Sequence, residues 1–242
     1  LSAMSDVPTS LGGGPGSAGA STAALRAPRS TPPSLDAALR AALGADCVSS
    51  RAADRLTYAR DLWPRGLLHI AAGEAPHSGP DLIAWPRATA QVQAVVDEAI
   101  AAHGRIHTVV WAAGPLVNQR YLSATPIEEW RHAVDVEVHG FFAAMQAVVP
   151  HMRDAGGGSF VTLGSAGHDW WPQRDGMSVA VKASNEQLVK GIAKEEGRYK
   201  IRANSVLVGV IDAGQLHELT RLGQIDQRWV DNTHRLICLK RW

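Results

Sequence analysis

Three short apolar runs at residues 106–111, 160–163 and 203–210 constrain this chain most, because each is too short for a helix and each is separated from the next by a long stretch of helical periodicity. That rhythm predicts a parallel sheet with crossover helices, its strands buried on both faces. The first intervening helix is announced by Thr125, Pro126 and Glu128, read as an N-cap, a first-position proline and a reciprocal capping glutamate. Trp130, Val134, Phe141, Met145 and Val148 follow at three- to four-residue intervals, a stripe that blurs only around Val138. Gly156, Gly157 and Gly158 turn the chain back into the sheet, and a last helix carries Lys182 through Leu188 and Ile192 to a stop near Gly197.

The composition suits such a fold. Of 242 residues, 45% are apolar and 19% charged, and the formal net charge is +1. A charge so near zero, with no concentrated run of Lys or Arg, offers no field for nucleic acid or an anionic membrane. No apolar stretch approaches the roughly 18 residues that would span a bilayer, and the amino terminus lacks a basic region followed by an apolar core, so a cytoplasmic location is expected. Cys47 and Cys238 are read as ordinary thiols of a reducing compartment. His103 and His107 are spaced like helix ligands, but Gly104 ends the helix between them, and no metal is expected.

Residues 1–34 are rich in Gly, Ser, Ala, Thr and Pro and read as a disordered low-complexity tail. Within it, residues 14–19 match G-x-G-x-x-G, yet no strand precedes them, and the match is assigned to chance. Residues 35–91 form a separate segment that opens with a helix over 35–43, capped by Ser34 and stopped by Gly44. Its Tyr58 and Asp61, then Pro80, Asp81, Ile83 and Pro86, resemble the opening of FAD-linked oxidases of the vanillyl-alcohol oxidase type. The glycine-rich loop that holds flavin in that family has no counterpart after residues 106–111, which argues against FAD and leaves a fragment of such an oxidase as one alternative reading.

Residues 92–242 carry an ordered set of motifs. Trp111-Ala112-Ala113-Gly114 ends the first strand, Ser165 ends the second, Ser178 and Lys182 are four apart on a helix, and Arg202, Asn204 and Val206 precede Gly209 and Ile211. This order resembles the short-chain dehydrogenase/reductase family, with its N-N-A-G, catalytic Ser, Y-x-x-x-K and R-x-N-x-V-x-P-G. The resemblance implies a partial Rossmann-like α/β fold and NAD(P)-dependent hydride transfer between alcohols and carbonyls. It implies that Ser165 orients substrate, and that Lys182 holds the cofactor ribose and tunes the proton donor. Ala112, Ala113, Gly114, Gly209 and Ile211 would meet the cofactor through their backbone. It also implies a small-molecule substrate and a homo-oligomer through the helix that carries Lys182.

Two positions depart from that pattern. Ser178 stands where the family has its tyrosine, and a hydroxyl so weakly acidic and so short reaches the carbonyl oxygen only through water. Glu137 stands where the family has an asparagine, and it is expected to pair with Lys182. The family's first strand and glycine-rich turn have no counterpart, and the final helix and strand are missing, so a fragment or fusion with impaired activity is expected. A non-catalytic scaffold is the main alternative. Trp170 and Trp171 fall where the family lines its pocket, and either an apolar substrate or packing against the core would account for them.

Overall fold

The computed structural model describes residues 33–59, 72, 79–212 and 214–240. Residues 1–32 of the tail, its glycine motif and Asp61 lie outside the described residues, and residues 33 and 34, assigned to the tail, belong to the first helix. Helix α1 (Pro33–Leu43) brings Leu35, Leu39 and Leu43 to one side, where they are buried with Cys47 and Val48 against Ala94, Val95 and Ala102. Pro33 takes the first helical position, where its missing N–H costs nothing, so Ser34 lies inside the helix rather than capping it. Two-residue strands β1 (Val48–Ser49) and β2 (Ile83–Ala84) pair antiparallel beside it, with helix α2 (Ala52–Ala59) between them in sequence.

Helix α3 (Thr89–His103) ends where the sequence says it should. Gly104 adopts the left-handed conformation at φ 80° and its N–H closes on the Ile100 carbonyl. The main sheet then follows as β3 (Thr108–Trp111), β4 (Gly158–Ser165) and β5 (Ile201–Val208), all parallel in the order β3-β4-β5.

The strands are not buried on both faces. Helices α3, α5 (Gly140–Asp154) and α7 (Gly176–Glu196) contribute to one core, in which Phe141, Met152, Phe160, Val189, Ile192 and Ile201 are buried. Side chains of the opposite parity, Val110 and Val206, are exposed, and strand β5 alternates accordingly. The expectation of two-sided burial is therefore corrected: the described helices that form this core serve one side of the sheet.

The helix predicted between the first two strands is continuous from Ile127 but changes pitch. Helix α4 (Ile127–Val134) passes into a π-turn (Asp135–His139) before α5 begins. The extra residue in that turn rotates the apolar stripe. Trp130, Val134 and Val138 pack with Val117, Met177 and Val181, whereas Phe141 and Val148 enter the main core. The blur at Val138 in the sequence is this turn. The predicted capping box does not form: Pro126 is the cap residue, no side chain caps the helix, and the Thr125 hydroxyl donates to the Tyr121 carbonyl at 3.1 Å.

Candidate active site at the carboxyl edge of the sheet

Glu137 lies in the π-turn, where the helix swings its carboxylate inward. It is only 3% exposed, and Lys182 Nζ donates to its Oε1 at 2.6 Å. Asn185, one turn beyond Lys182 on α7, donates Nδ2 to the Glu137 carbonyl at 3.0 Å and reaches Oε2 at 3.5 Å. Burial pushes the Glu137 carboxyl above its ordinary value, and the Lys182 hydrogen bond and charge oppose that push. The expected pairing of Glu137 with Lys182 is present.

Above this pair runs the segment that follows β3. A side chain on Gly114 would come within 2.6 Å of Glu137 Oε1 and 3.6 Å of Lys182 Nζ, so the Gly114 backbone rests directly on the ion pair. Ala112, Ala113, Gly209 and Ile211 are exposed at the ends of β3 and β5, and Gly209 has open space on its α-carbon. Trp111, at the first asparagine position of N-N-A-G, turns its indole against the Gly140 backbone and Phe141, with 5.8 Å between the two rings. Packing replaces hydrogen bonding there, and the buried Trp111 Nε1 finds no partner among the described residues.

Ser165 ends β4, and its Oγ accepts from the Gly167 N–H at 3.0 Å. Gly167 fits between that oxygen and Val179, the neighbour of Ser178 on α7, since a side chain there would meet both. Ser165 and the helix of Lys182 thus belong to one cluster. One further turn along α7, Glu186 takes His168 Nδ1 at 2.5 Å and ties the short helix α6 (Gly167–Trp170) after β4 to the same helix. Trp170 and Trp171 beyond it are 76% and 48% exposed, so packing against the core does not account for them.

Two polar residues of this edge escaped the sequence reading. Asp175, immediately before α7, accepts from Gln119 Nε2 at 3.1 Å, and burial pushes its carboxyl upward against that bond and the charge of Lys182. Asn185 is the other. The signal for both was periodicity, since each lies one or two helical turns from Lys182. Their partners, Gln119 and Glu137, lie far away in sequence and left no such mark.

A family model described as enoyl-(acyl carrier protein) reductase matches residues 87–238. The chain belongs to the short-chain dehydrogenase/reductase family. It is 32% identical over 170 residues to a probable galactose dehydrogenase of Rhizobium meliloti, covering 70% of this chain and 63% of that protein. Over 130 residues it is 32% identical to a 3-alpha-(or 20-beta)-hydroxysteroid dehydrogenase of Mycobacterium bovis, covering 50% and 46%. Among solved structures, a gluconate 5-dehydrogenase of Burkholderia cenocepacia in complex with NADP and tartrate superimposes with a TM-score of 0.57 at 29% identity, covering 64% of this chain and 59% of that one. The chain therefore spans about half to two-thirds of the length of these reductases.

The match begins at residue 87 and so takes in the whole of α3, ahead of the motifs in residues 92–242. The likeness of the upstream segment to FAD-linked oxidases finds no support in these matches. Among the described residues there is no group of His, Cys, Asp and Glu that would hold a metal ion, and no helix long and apolar enough to cross a membrane.

Proposed function

We propose that this chain is an NAD(P)-dependent oxidoreductase of small alcohols and carbonyls. The observation that carries the reading is the Lys182–Glu137 pair, set beneath the Gly114 backbone at the carboxyl edge of a parallel sheet. Residues of the described chain fit the nicotinamide end of a dinucleotide. Ala112, Ala113, Gly114, Gly209 and Ile211 offer accessible backbone, and Lys182 is the cation for a ribose hydroxyl. The described residues contain no glycine-rich turn for the pyrophosphate. When bound, the nicotinamide supplies or accepts hydride.

The chain's own groups do the rest. Ser165 orients the reacting oxygen, Ser178 passes its proton with the help of water, and Lys182 holds the charge that favours the transfer. Glu137 fixes that lysine but draws it away from the ribose, which slows turnover. NAD(P) rather than flavin is the cofactor of this reading, and a homodimer through α7 is its assembly.

Binding tests it first. NADH or NADPH titrated into the protein should quench tryptophan emission with transfer to the nicotinamide, and a ketone panel should then be reduced above a Lys182→Ala control. Absence of both would sink the enzymatic reading in favour of a scaffold, and sedimentation equilibrium would test the dimer.

A further inference from the structure

We propose that Asp175 is the acid that exchanges the reacting proton in this chain, with Ser178 passing that proton between the Asp175 carboxyl and the substrate oxygen. The inference rests on the oxidoreductase reading above and supplies the proton donor that the loss of the family's tyrosine removes. Its first support is what Asp175 does not do. It stands at the N-cap of α7, where an aspartate normally accepts from the first free backbone N–H groups, yet its side chain makes no capping bond. The Ser178 and Val179 N–H groups go instead to the Asp175 main-chain carbonyl, at 3.1 and 3.0 Å. Asp226, at the start of the helix Gln227–Leu236, behaves ordinarily and accepts from the Trp229 N–H at 2.8 Å.

The freed carboxylate is placed rather than loose. One oxygen takes Gln119 Nε2, and the turn beneath it is pinned where Gly176 packs against Leu122, both contacts coming from the segment that follows β3. Residues 175, 178 and 182 follow one another at three- and four-residue spacing, which puts the three positions along one side of α7, and the Lys182 charge acts on the Asp175 carboxyl. The Ser178 hydroxyl makes no hydrogen bond to a described side chain. The charge that acts on Asp175 is Lys182 on its own helix, and Lys182 is in turn paired with Glu137. Partial burial favours the protonated carboxyl, as an acid working near neutral pH requires.

The step balances. The carbonyl C–O π bond breaks as its carbon accepts the hydride that a reduced nicotinamide dinucleotide, held at Lys182 and the Gly114 backbone, would supply and be oxidised by losing. Through bridging water the carbonyl oxygen gains its new O–H bond as Ser178 gives up its proton, Ser178 regains a proton from the Asp175 carboxyl, and the resulting carboxylate is reprotonated from solvent.

The test uses the full chain with NADPH and cyclic ketones. Asp175→Asn should lower kcat by about 10²- to 10⁴-fold and remove an acid limb from its pH profile, with NADPH affinity unchanged. Asp175→Glu should recover part of the rate, and Ser178→Ala should match Asp175→Asn. In the ligand-free protein, carboxyl infrared difference spectra should show Asp175 titrating above the ordinary carboxylate range. Wild-type kcat and pH profile in Asp175→Asn, in a chain that binds NADPH, would overturn the proposal. An unimpaired Ser178→Ala would overturn the relay through serine. Failure of the wild-type chain to bind NADPH is a different pattern, and it would remove the oxidoreductase reading and this proposal together.

Discussion

Midway along β4, Phe160 is fully buried among Phe141, Met152, Val189 and Ile192, and its surroundings are carbon. Where the same strand ends, at Ser165, the neighbouring helix carries Lys182 against the buried Glu137. The first region gains free energy from every atom it removes from water. The second gives some of it back, because two charges taken out of water recover their desolvation cost only with good geometry and further hydrogen bonds. A chain that needed only to fold would fill the second region like the first. That it does not is the physical case for a site at the carboxyl edge.

Phe160→Ala probes the apolar side of this contrast and should have the largest effect, a loss of about 3–5 kcal/mol by denaturant unfolding. Lys182→Met probes the charged side. It strands the Glu137 carboxylate and should cost about 3 kcal/mol, whereas Lys182→Met with Glu137→Leu should recover most of that. If the double variant is no better than the single one, the pair is a structural asset, and the contrast between the two regions is broken.

Ser178→Tyr sharpens the contrast from the side of chemistry. A phenol one turn before Lys182 restores the family's proton donor, and ketone reduction should rise by about 10²-fold or more in single-turnover measurements. An unchanged rate with intact NADPH binding would show that the Glu137 grip on Lys182, and not the missing phenol, limits the reaction.

Stability against pH should show both regimes. Against the upward push of burial, His168 and Lys190 hold Glu186 below the ordinary carboxylate value, and Arg153 holds Glu196 below it. Their contribution is fully present above that value and is lost progressively as pH falls from it through their lowered values. Glu137 and Asp175 are raised by burial, so the folded chain binds their protons more tightly than the unfolded chain does. Stability therefore falls as pH climbs from the ordinary carboxylate range through their raised values. Melting temperatures of Glu137→Gln should decline less steeply over that interval than those of the wild type.

What the sequence disclosed, and what it hid, follows from the range of each interaction. The three strands, the stop at Gly104 and the Lys182 helix were legible because local pattern determines them. The pairing of Glu137 with Lys182 was legible only through the family resemblance. The π-turn left no more than a blurred stripe, because one extra residue shifts the register of the face without changing any residue type. One-sided burial was hidden for a different reason: short apolar strands read alike whether one face or both are covered, and tertiary packing decides. The Gln119–Asp175 contact joins two polar residues that look ordinary in their own neighbourhoods.

The two aspartates that open helices give the smallest and most discriminating prediction. Asp226 accepts from the Trp229 N–H, so Asp226→Ala should cost about 1 kcal/mol through a lost cap and leave NADPH binding and turnover untouched. Asp175 opens a longer helix and should behave in the opposite sense. With no capping bond to lose, Asp175→Asn should keep the melting temperature or raise it at neutral pH, because the amide retains the contact with Gln119 and is not penalised by burial as a charge is. A cap-like loss at Asp175 would mean that its carboxylate serves the helix after all, and the same residue type would then be doing the same work at both places.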